Sequence, residues 1–173
     1  MASTDRELGI AGDVALTVDS SQGGIAGDVQ IWDVQKFSER VDIGETAFFG
    51  VTSGLGGGVF LRVRLNNSKG AYVGGQGELG VGWGGLALPV SGKVGDKLWL
   101  YTNPAVRLVV GDITGDVPNI SLAPQIFLPA GASLGLGKGF RLHSEVNLTL
   151  GGTMEYYDTP GYGRFALGGG YRW

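Results

Sequence analysis

The feature that most constrains this chain is an alternation of apolar and polar residues between Asn119 and Gly152. Every isoleucine, leucine and valine of this stretch lies at an even position, whereas most odd positions hold polar or small residues. A period of two places successive side chains on opposite faces of a β-strand. The stretch therefore predicts two strands joined at "GKG" (137–139), each with one apolar and one polar face.

The same alternation continues through nearly the whole chain, and helical periodicity is almost absent. Short segments rich in glycine, serine, asparagine and aspartate separate the strands, as expected for tight turns. We expect ten strands, at 7–19, 24–34, 39–53, 58–66, 70–83, 86–92, 97–111, 118–136, 140–156 and 163–173. The strand at 86–92 is the weakest, because it is short and contains Pro89. If it belongs to a bent neighbour and one other hairpin is also misread, the count is eight.

Composition excludes several classes of protein. The 173 residues predict one domain, 1–173, and the net charge of −3 gives no reason to expect a nucleic-acid partner. With no cysteine and one histidine, the chain has no disulfides, thiolate metal sites or multi-histidine sites, and no cofactor is expected. The chain has no run of 18 apolar residues, so no transmembrane helix is predicted. The start, "MASTDRELGI", is unlike a signal peptide, so we expect an intracellular protein or a mature form without its leader.

The charged residues decide which face of the sheet is enclosed. Seven of the eight arginines share the polar face with seven acids, and the five lysines lie in or beside turns. A sheet whose polar face meets water usually carries lysine on it. Arginine–carboxylate pairs instead suit an enclosed space. The arginines are Arg40, Arg62, Arg64, Arg107, Arg141, Arg164 and Arg172, and the acids are Asp13, Asp19, Asp28, Asp42, Glu78, Glu145 and Glu155.

If the polar face is enclosed, the apolar face points outward, and only lipid makes that favourable. A sheet in a membrane must close, because hydrocarbon cannot satisfy the hydrogen bonds of an open edge. The sequence therefore predicts an all-β, closed, antiparallel, up-and-down transmembrane barrel with short turns. Leu142 to Leu150 supplies nine residues, and a spanning strand needs about 9–11. Aromatic residues near strand ends predict a girdle at the membrane surfaces: Trp83, Phe140, Tyr156, Phe165, Tyr171 and Trp173.

The last strand, "GRFALGGGYRW", resembles the C-terminal strand of bacterial outer-membrane β-barrel proteins. Its apolar residues alternate and it ends on an aromatic residue, and the overall size is similar to that of small OmpA/OmpX-type barrels. The resemblance implies an outer-membrane location and a partner, the assembly machinery that reads this strand. It also implies a C-terminus in the periplasm, with most lysines at periplasmic turns. The brevity of the connections departs from the long outer loops of that family and argues against an adhesin.

Two groups of residues suggest chemistry. His143, Ser144 and Glu145 suggest an outer-membrane lipid hydrolase, but neighbouring strand residues point to opposite faces, so a nucleophile would have to come from another strand. We expect His143 to belong to the lumen charge network instead. The glycine-rich "GGQGELGVGWGG" has no following helix and no Lys-Ser/Thr pair, so glycine there is expected to serve packing rather than phosphate binding.

The sequence thus predicts a monomeric, non-enzymatic barrel in a lipid bilayer, with an ion-paired and largely filled lumen. It would act as a membrane scaffold or a very narrow passive pore. The balance of charges favours the filled lumen, since a pore usually carries a net charge that selects ions. Three alternatives stay open: a conducting porin-like channel of natural or engineered origin, a soluble carrier with an apolar interior, and a lipid hydrolase that uses His143.

Overall fold

The computed structural model describes residues 6–17, 25–50, 54–110, 122–150 and 161–173. These residues form twelve hydrogen-bonded β-segments, and across them no helix has the length and apolar character needed to cross a membrane. The segments are β1 Arg6–Thr17, β2 Ile25–Lys36, β3 Val41–Gly50, β4 Gly54–Arg64, β5 Ala71–Gly80, β6 Trp83–Ala87, β7 Val90–Val94, β8 Leu98–Thr102, β9 Ala105–Val110, β10 Leu122–Gly137, β11 Phe140–Leu150 and β12 Gly161–Arg172.

The twelve segments make ten barrel strands. β6 and β7 both pair with β5 and are two halves of one strand, and β8 and β9 both pair with β10 in the same way. The interruptions lie at Pro89 and Pro104, which have no N–H to donate. The ladder continues around them, because Gly74 N–H donates to Pro89 O at 2.9 Å and Leu88 N–H donates to Pro104 O at 2.9 Å. The prediction of ten strands is confirmed, and the alternative of eight is wrong.

The sheet is closed and antiparallel throughout. Each strand pairs with its neighbours in the chain, and β1 pairs with β12 over eleven residues, from Glu7–Arg172 to Thr17–Tyr162. Backbone hydrogen bonds between Arg6 and Trp173 extend this seam by one more pair. Every edge is therefore satisfied within the chain, as hydrocarbon requires. We call the end of the barrel at which Trp173 and the turns at 37–40, 65–70, 95–97 and 138–139 lie the C-terminal end.

Two predicted turns are misplaced. Residues 54–57, predicted as a turn, form the start of β4, and residues 84–85 lie inside β6. The β5–β6 connection is instead Val81–Gly82, where Gly82 has a φ of +77° that suits glycine. Glycine clusters mark both turns and curved strands, so composition alone does not separate them. The predicted turns at 20–23 and 112–117 lie outside the described residues.

The distribution of apolar residues is inverted relative to a water-soluble protein. Outward-facing side chains such as Ile10, Leu79, Leu86 and Val146 are all more than half exposed. Among the described residues, the buried apolar side chains are only Ala87 and Ala105, whereas the buried polar ones include Asp28, Gln76, Glu78, Ser133 and Thr149. An apolar outer wall of this extent is favourable only against lipid. The alternative of a soluble carrier with an apolar interior is therefore wrong.

One polar group lies on the outer wall, near the C-terminal end. Arg6 pairs with Asp33 across β1 and β2, and its guanidinium lies 5.7 Å from the Trp173 ring. Glu45 stands directly opposite Asp33 on β3 and is also exposed. Arg6 is the one arginine that the sequence did not assign to the polar face, and it lies outside the lumen charge network.

Candidate functional site

The candidate site is the interior of the barrel, which we call the lumen. It contains a cavity of about 630 Å³, lined by side chains from every barrel strand. The lining runs from Arg40, Lys69 and Arg172 at the C-terminal end to Phe48 and Trp83 towards the opposite end. Asp13, Asp28 and Arg164 do not line it. The cavity therefore occupies the part of the lumen nearer the C-terminal end.

A chain of hydrogen bonds crosses β4, β5 and β9. Arg62 Nε donates to Gln76 Oε1 at 2.9 Å, and Gln76 Nε2 donates to Glu78 Oε2 at 3.1 Å. Glu78 accepts from Arg107 through both carboxylate oxygens, at 2.5 and 3.2 Å. Gln76 and Glu78 are both buried. The bidentate pair holds the Arg107 guanidinium in a fixed orientation inside the lumen.

Aromatic rings sandwich Arg107. Its guanidinium carbon lies 4.6 Å from the Trp83 ring centre and 4.5 Å from that of Phe127. The assignment of Trp83 to the outer girdle is therefore wrong. With the turn at Val81–Gly82, Trp83 stands directly opposite Gly80, on the polar face of the sheet. A strand that ended at 83 would instead have put this ring on the outer wall.

A second charged cluster lies on the other side of the lumen. Arg164 Nη1 lies 3.6 Å from Asp13 Oδ2, and its Nη2 lies 3.4 Å from Asp28 Oδ2. Asp28 is 3% exposed, and Thr149, on the nearby strand β11, is 1% exposed. Arg107, Glu78 and Trp83 of the first cluster line the cavity, whereas Asp13, Asp28 and Arg164 of the second lie outside its lining. The remaining acids predicted for the lumen, Asp19 and Glu155, lie outside the described residues.

At the C-terminal end, the predicted lumen residues form a basic rim. Arg64 donates to Asn66 Oδ1 at 3.3 Å and to Ala71 O at 3.1 Å, and so ties down the β4–β5 turn. Arg40 lies in the β2–β3 turn, not in a strand, and donates to Asn67 Oδ1 at 3.1 Å. Asp42 stands directly opposite Arg62, and Arg172 stands opposite Glu7.

Arg141, His143 and Glu145 follow one another along the lumen face of β11. His143 Nε2 lies 3.6 Å from Glu7 Oε1, and its ring meets Trp32 edge-on at 5.6 Å. The Tyr101 hydroxyl lies close enough to Glu145 to interact with its carboxylate. Arg141 makes no hydrogen bond or ion pair with any described residue, although it lines the cavity. The alternation did not single out Glu7, because it lies next to the strand end.

The alternation also missed a set of aromatic rings that line the lumen. Five rings lie over glycines directly opposite them on the neighbouring strand, so close that a Cβ on any of those glycines would come within 2.1–2.5 Å of the ring. The ring–glycine pairs are Trp32–Gly9, Phe60–Gly44, Phe48–Gly56, Trp83–Gly80 and Tyr101–Gly131. Glycine thus lets each ring lie flat along the wall. An aromatic residue on the polar parity, within reach of a glycine-rich strand, is the signal that could have revealed them.

Four of the other residues assigned to the girdle lie on the outer wall. Phe140, Tyr171 and Trp173 form a ladder at the C-terminal end, with ring centres 4.8 and 5.7 Å apart. Phe165 is exposed nearer the opposite end of β12, and Tyr156 lies outside the described residues. Amphipathic rings at this level suit the boundary between lipid and water.

The residues that the structure describes do not bring metal ligands or a nucleophile and its base into contact. Nowhere in the described ranges do three or more His, Cys, Asp or Glu side chains gather as metal ligands would. Ser133 stands directly opposite His143 on the lumen face, which gives the nucleophile that a hydrolase would need a position on another strand. The Ser133 hydroxyl makes no hydrogen bond, however, so the contact between nucleophile and base is missing.

No protein-family model matches this chain, and no curated protein matches it. Solved structures do match. The NanC porin aligns over 95% of this chain and 98% of its own, with a TM-score of 0.60 and 8% identity. Ail, the attachment invasion locus protein of Yersinia pestis, in complex with sucrose octasulfate, aligns over 98% of this chain and 99% of its own, with a TM-score of 0.51 and 11% identity.

The KdgM porin, in complex with disordered oligogalacturonate, also matches over 97% of both chains, with a TM-score of 0.50 and 11% identity. These proteins are small bacterial outer-membrane barrels, and at this level of identity the likeness concerns the fold. The resemblance predicted from the last strand and the alternation is confirmed at that level. This chain has the fold of a small outer-membrane β-barrel.

Proposed function

We propose that this chain is a non-enzymatic barrel of the bacterial outer membrane, with a lumen closed to free passage by its own side chains. It lies in the bilayer as a monomer, with its C-terminus in the periplasm. The observation that carries the proposal is the pair of polar clusters on opposite walls, Asp13 and Asp28 with Arg164 on one and Arg107 between two rings on the other, which together would form a closing layer. Eight strands enclose room only for side chains and ten leave somewhat more, so closure of this lumen depends on these clusters.

Insertion into the membrane fits the same proposal. Phe165, Leu167 and Tyr171 form an outward row on β12, and all three are at least 40% exposed. Such a row is available to the outer-membrane assembly machinery before the barrel closes against β1, and it meets lipid afterwards.

Conductance in a planar bilayer tests the closed lumen. We expect no discrete steps from the wild-type barrel. The double variant Asp28→Ser, Arg164→Ser should produce small steps, because it removes both charges and the bulk of one side of the layer. The matched control, Glu39→Ser with Arg40→Ser, removes one charge of each sign at the rim and should stay silent. Regular steps from the wild-type protein would contradict the proposal and support a porin-like channel.

A second candidate, a narrow path for anionic solutes, is favoured by the charge of the cavity. Apart from Arg6, which is paired on the outer wall, the cavity is lined by eight basic and five acidic residues. The charges of the polar face balance overall, yet Asp13 and Asp28 lie with Arg164 outside the cavity, so the cavity itself is basic. Two structural neighbours contain anionic saccharides, sucrose octasulfate in Ail and oligogalacturonate in KdgM. The same bilayer recordings separate the candidates, since a path of this kind would conduct and prefer anions.

A further inference from the structure

We propose that the cavity binds a small organic anion that carries a ring, with Arg141 as its anchor and Trp32 and Trp99 as the flanking ring surfaces. The proposal deepens the function proposed above and rests on it in one respect: a lumen filled beyond the cavity gives the ligand a floor. The volume of the cavity, about 630 Å³, lies within the range of small-molecule sites.

The state of Arg141 is the first argument. The other described arginines of the lumen are engaged: Arg62 with Gln76, Arg107 with Glu78, Arg164 with two aspartates, Arg64 and Arg40 with the turns, and Arg172 with a further contact. Arg141 is half-buried and has no acceptor among the described residues. A guanidinium offers five N–H donors in a fork that matches a carboxylate.

Space beside Arg141 is the second argument. The residues directly opposite it on the two neighbouring strands are Gly135 and Gly170, so neither of these two positions adds a side chain beside Arg141. Glu7 reaches the space over Gly170, since its Oε1 lies 3.4 Å from a Cβ position there; it also lies 3.6 Å from His143 Nε2 and stands opposite Arg172. Glu7 thus has basic neighbours of its own. The space for an anion from outside the chain is the one over Gly135, where, apart from the chain neighbours of that glycine, Lys97 O is the one described atom within 4 Å of a Cβ position.

The flanking rings are the third argument. Trp32 lies over Gly9 and meets the edge of His143, two residues from Arg141 on β11. Trp99 lies on the other side, directly opposite Ser133, which in turn stands opposite His143. Flat indole surfaces bind the faces of rings, both the C–H face of a sugar and the face of an aromatic acid. A carboxylate on Arg141 would therefore hold its ring between these two tryptophans.

Binding is measured on the refolded full-length barrel in detergent, by calorimetry and by tryptophan fluorescence. The probes are digalacturonate as a sugar acid, benzoate as an aromatic acid, the neutral dimethyl ester of digalacturonate, and inorganic phosphate as an anion without a ring. We expect at least one ring-bearing carboxylate to bind, and the ester and phosphate to bind at least about tenfold more weakly. The carboxylate that binds shows whether the ring belongs to a sugar acid or to an aromatic acid.

The variants assign the role of each residue. Arg141→Ala should weaken binding by about tenfold to a hundredfold, Arg141→Lys by less, and Trp99→Leu by about twofold to tenfold. Lys138→Ala is the matched control, because it removes the same charge from an exposed turn at the same end of the barrel, outside the cavity. It should leave affinity unchanged. Circular dichroism shows whether each variant is folded. If Arg141→Ala does not fold, Arg141→Lys tests the role of the guanidinium in its place.

Three results would overturn the inference: neither carboxylate binds, the ester binds as tightly as its acid, or the folded Arg141 variants keep wild-type affinity. None of these depends on conductance. A barrel that binds and also conducts overturns only the closed lumen, whereas a silent barrel that does not bind overturns only the ligand site.

Discussion

At five places in the lumen, the ring of an aromatic residue occupies the space that a side chain on the opposite strand would need. The ring carbons of Trp32 come within 2.1 Å of the position that a Cβ on Gly9 would take, and those of Phe60 within 2.2 Å of a Cβ on Gly44. Each glycine is thus matched to one ring. Some of the 34 glycines of the chain are therefore needed to leave room for large flat side chains in a narrow lumen.

Gly9→Ala tests this matching at a single residue. The new methyl group would displace the Trp32 indole into the lumen, so we expect the free energy of unfolding to fall by about 1–3 kcal/mol. Gly12→Ala is the control on the same strand, since nothing lies within 4 Å of its Cβ position. Both changes restrict the unfolded chain equally. Guanidinium titration in lipid vesicles measures the difference, and equal midpoints would show that the ring moves freely.

At the scale of the element, turns of two to six residues fix the register of the strands, and the register fixes the faces. The β10–β11 hairpin has positive φ at three successive residues, Gly137, Lys138 and Gly139. At β5–β6, the turn at Val81–Gly82 alone decides that Trp83 faces inward. A register change of one residue would turn every side chain of the strand to the other face.

Gly139→Ala tests the β10–β11 turn. Its φ is +85°, and its Cβ would lie 2.2 Å from the backbone oxygen of Arg172, so both strain and a clash with backbone oppose the change. We expect a loss of about 2–4 kcal/mol in the free energy of unfolding. Lys138→Gly is the control in the same turn, with a φ of 50°, and should preserve stability or raise it by about 0.5–1 kcal/mol. If both variants unfold at the wild-type midpoint, the turn geometry is not as described.

At the scale of the whole molecule, two separations of residues define the protein. Apolar side chains lie outside and charged ones inside, which suits a bilayer. Along the axis, Asp13, Asp28 and Arg164 lie beyond the cavity, whereas Arg40, Lys69 and Arg172 surround its mouth. Because of the second separation, a balanced set of charges includes a cavity lined mainly by basic residues.

Leu148→Arg tests the orientation of the whole sheet. Leu148 is 45% exposed on the outer wall of β11, and an arginine there would replace lipid contact with a charge. We expect a loss of about 2–4 kcal/mol when the barrel is unfolded from lipid vesicles. Leu65→Arg, in the exposed β4–β5 turn, is the matched control and should cost about 0–1 kcal/mol. Equal losses at the two positions would mean that residue 148 does not face hydrocarbon.

The sequence by itself determined the sheet, its closure and its inverted faces, because a period of two needs no tertiary information and the charges sort with it. Arg62, Arg107 and Arg164 lie inside, on the face that the alternation assigned. Only the tertiary structure decided which charges meet. Arg107 pairs with Glu78 and Arg141 with no described residue because register and strand tilt, which depend on all the turns together, set the height of each side chain in the barrel.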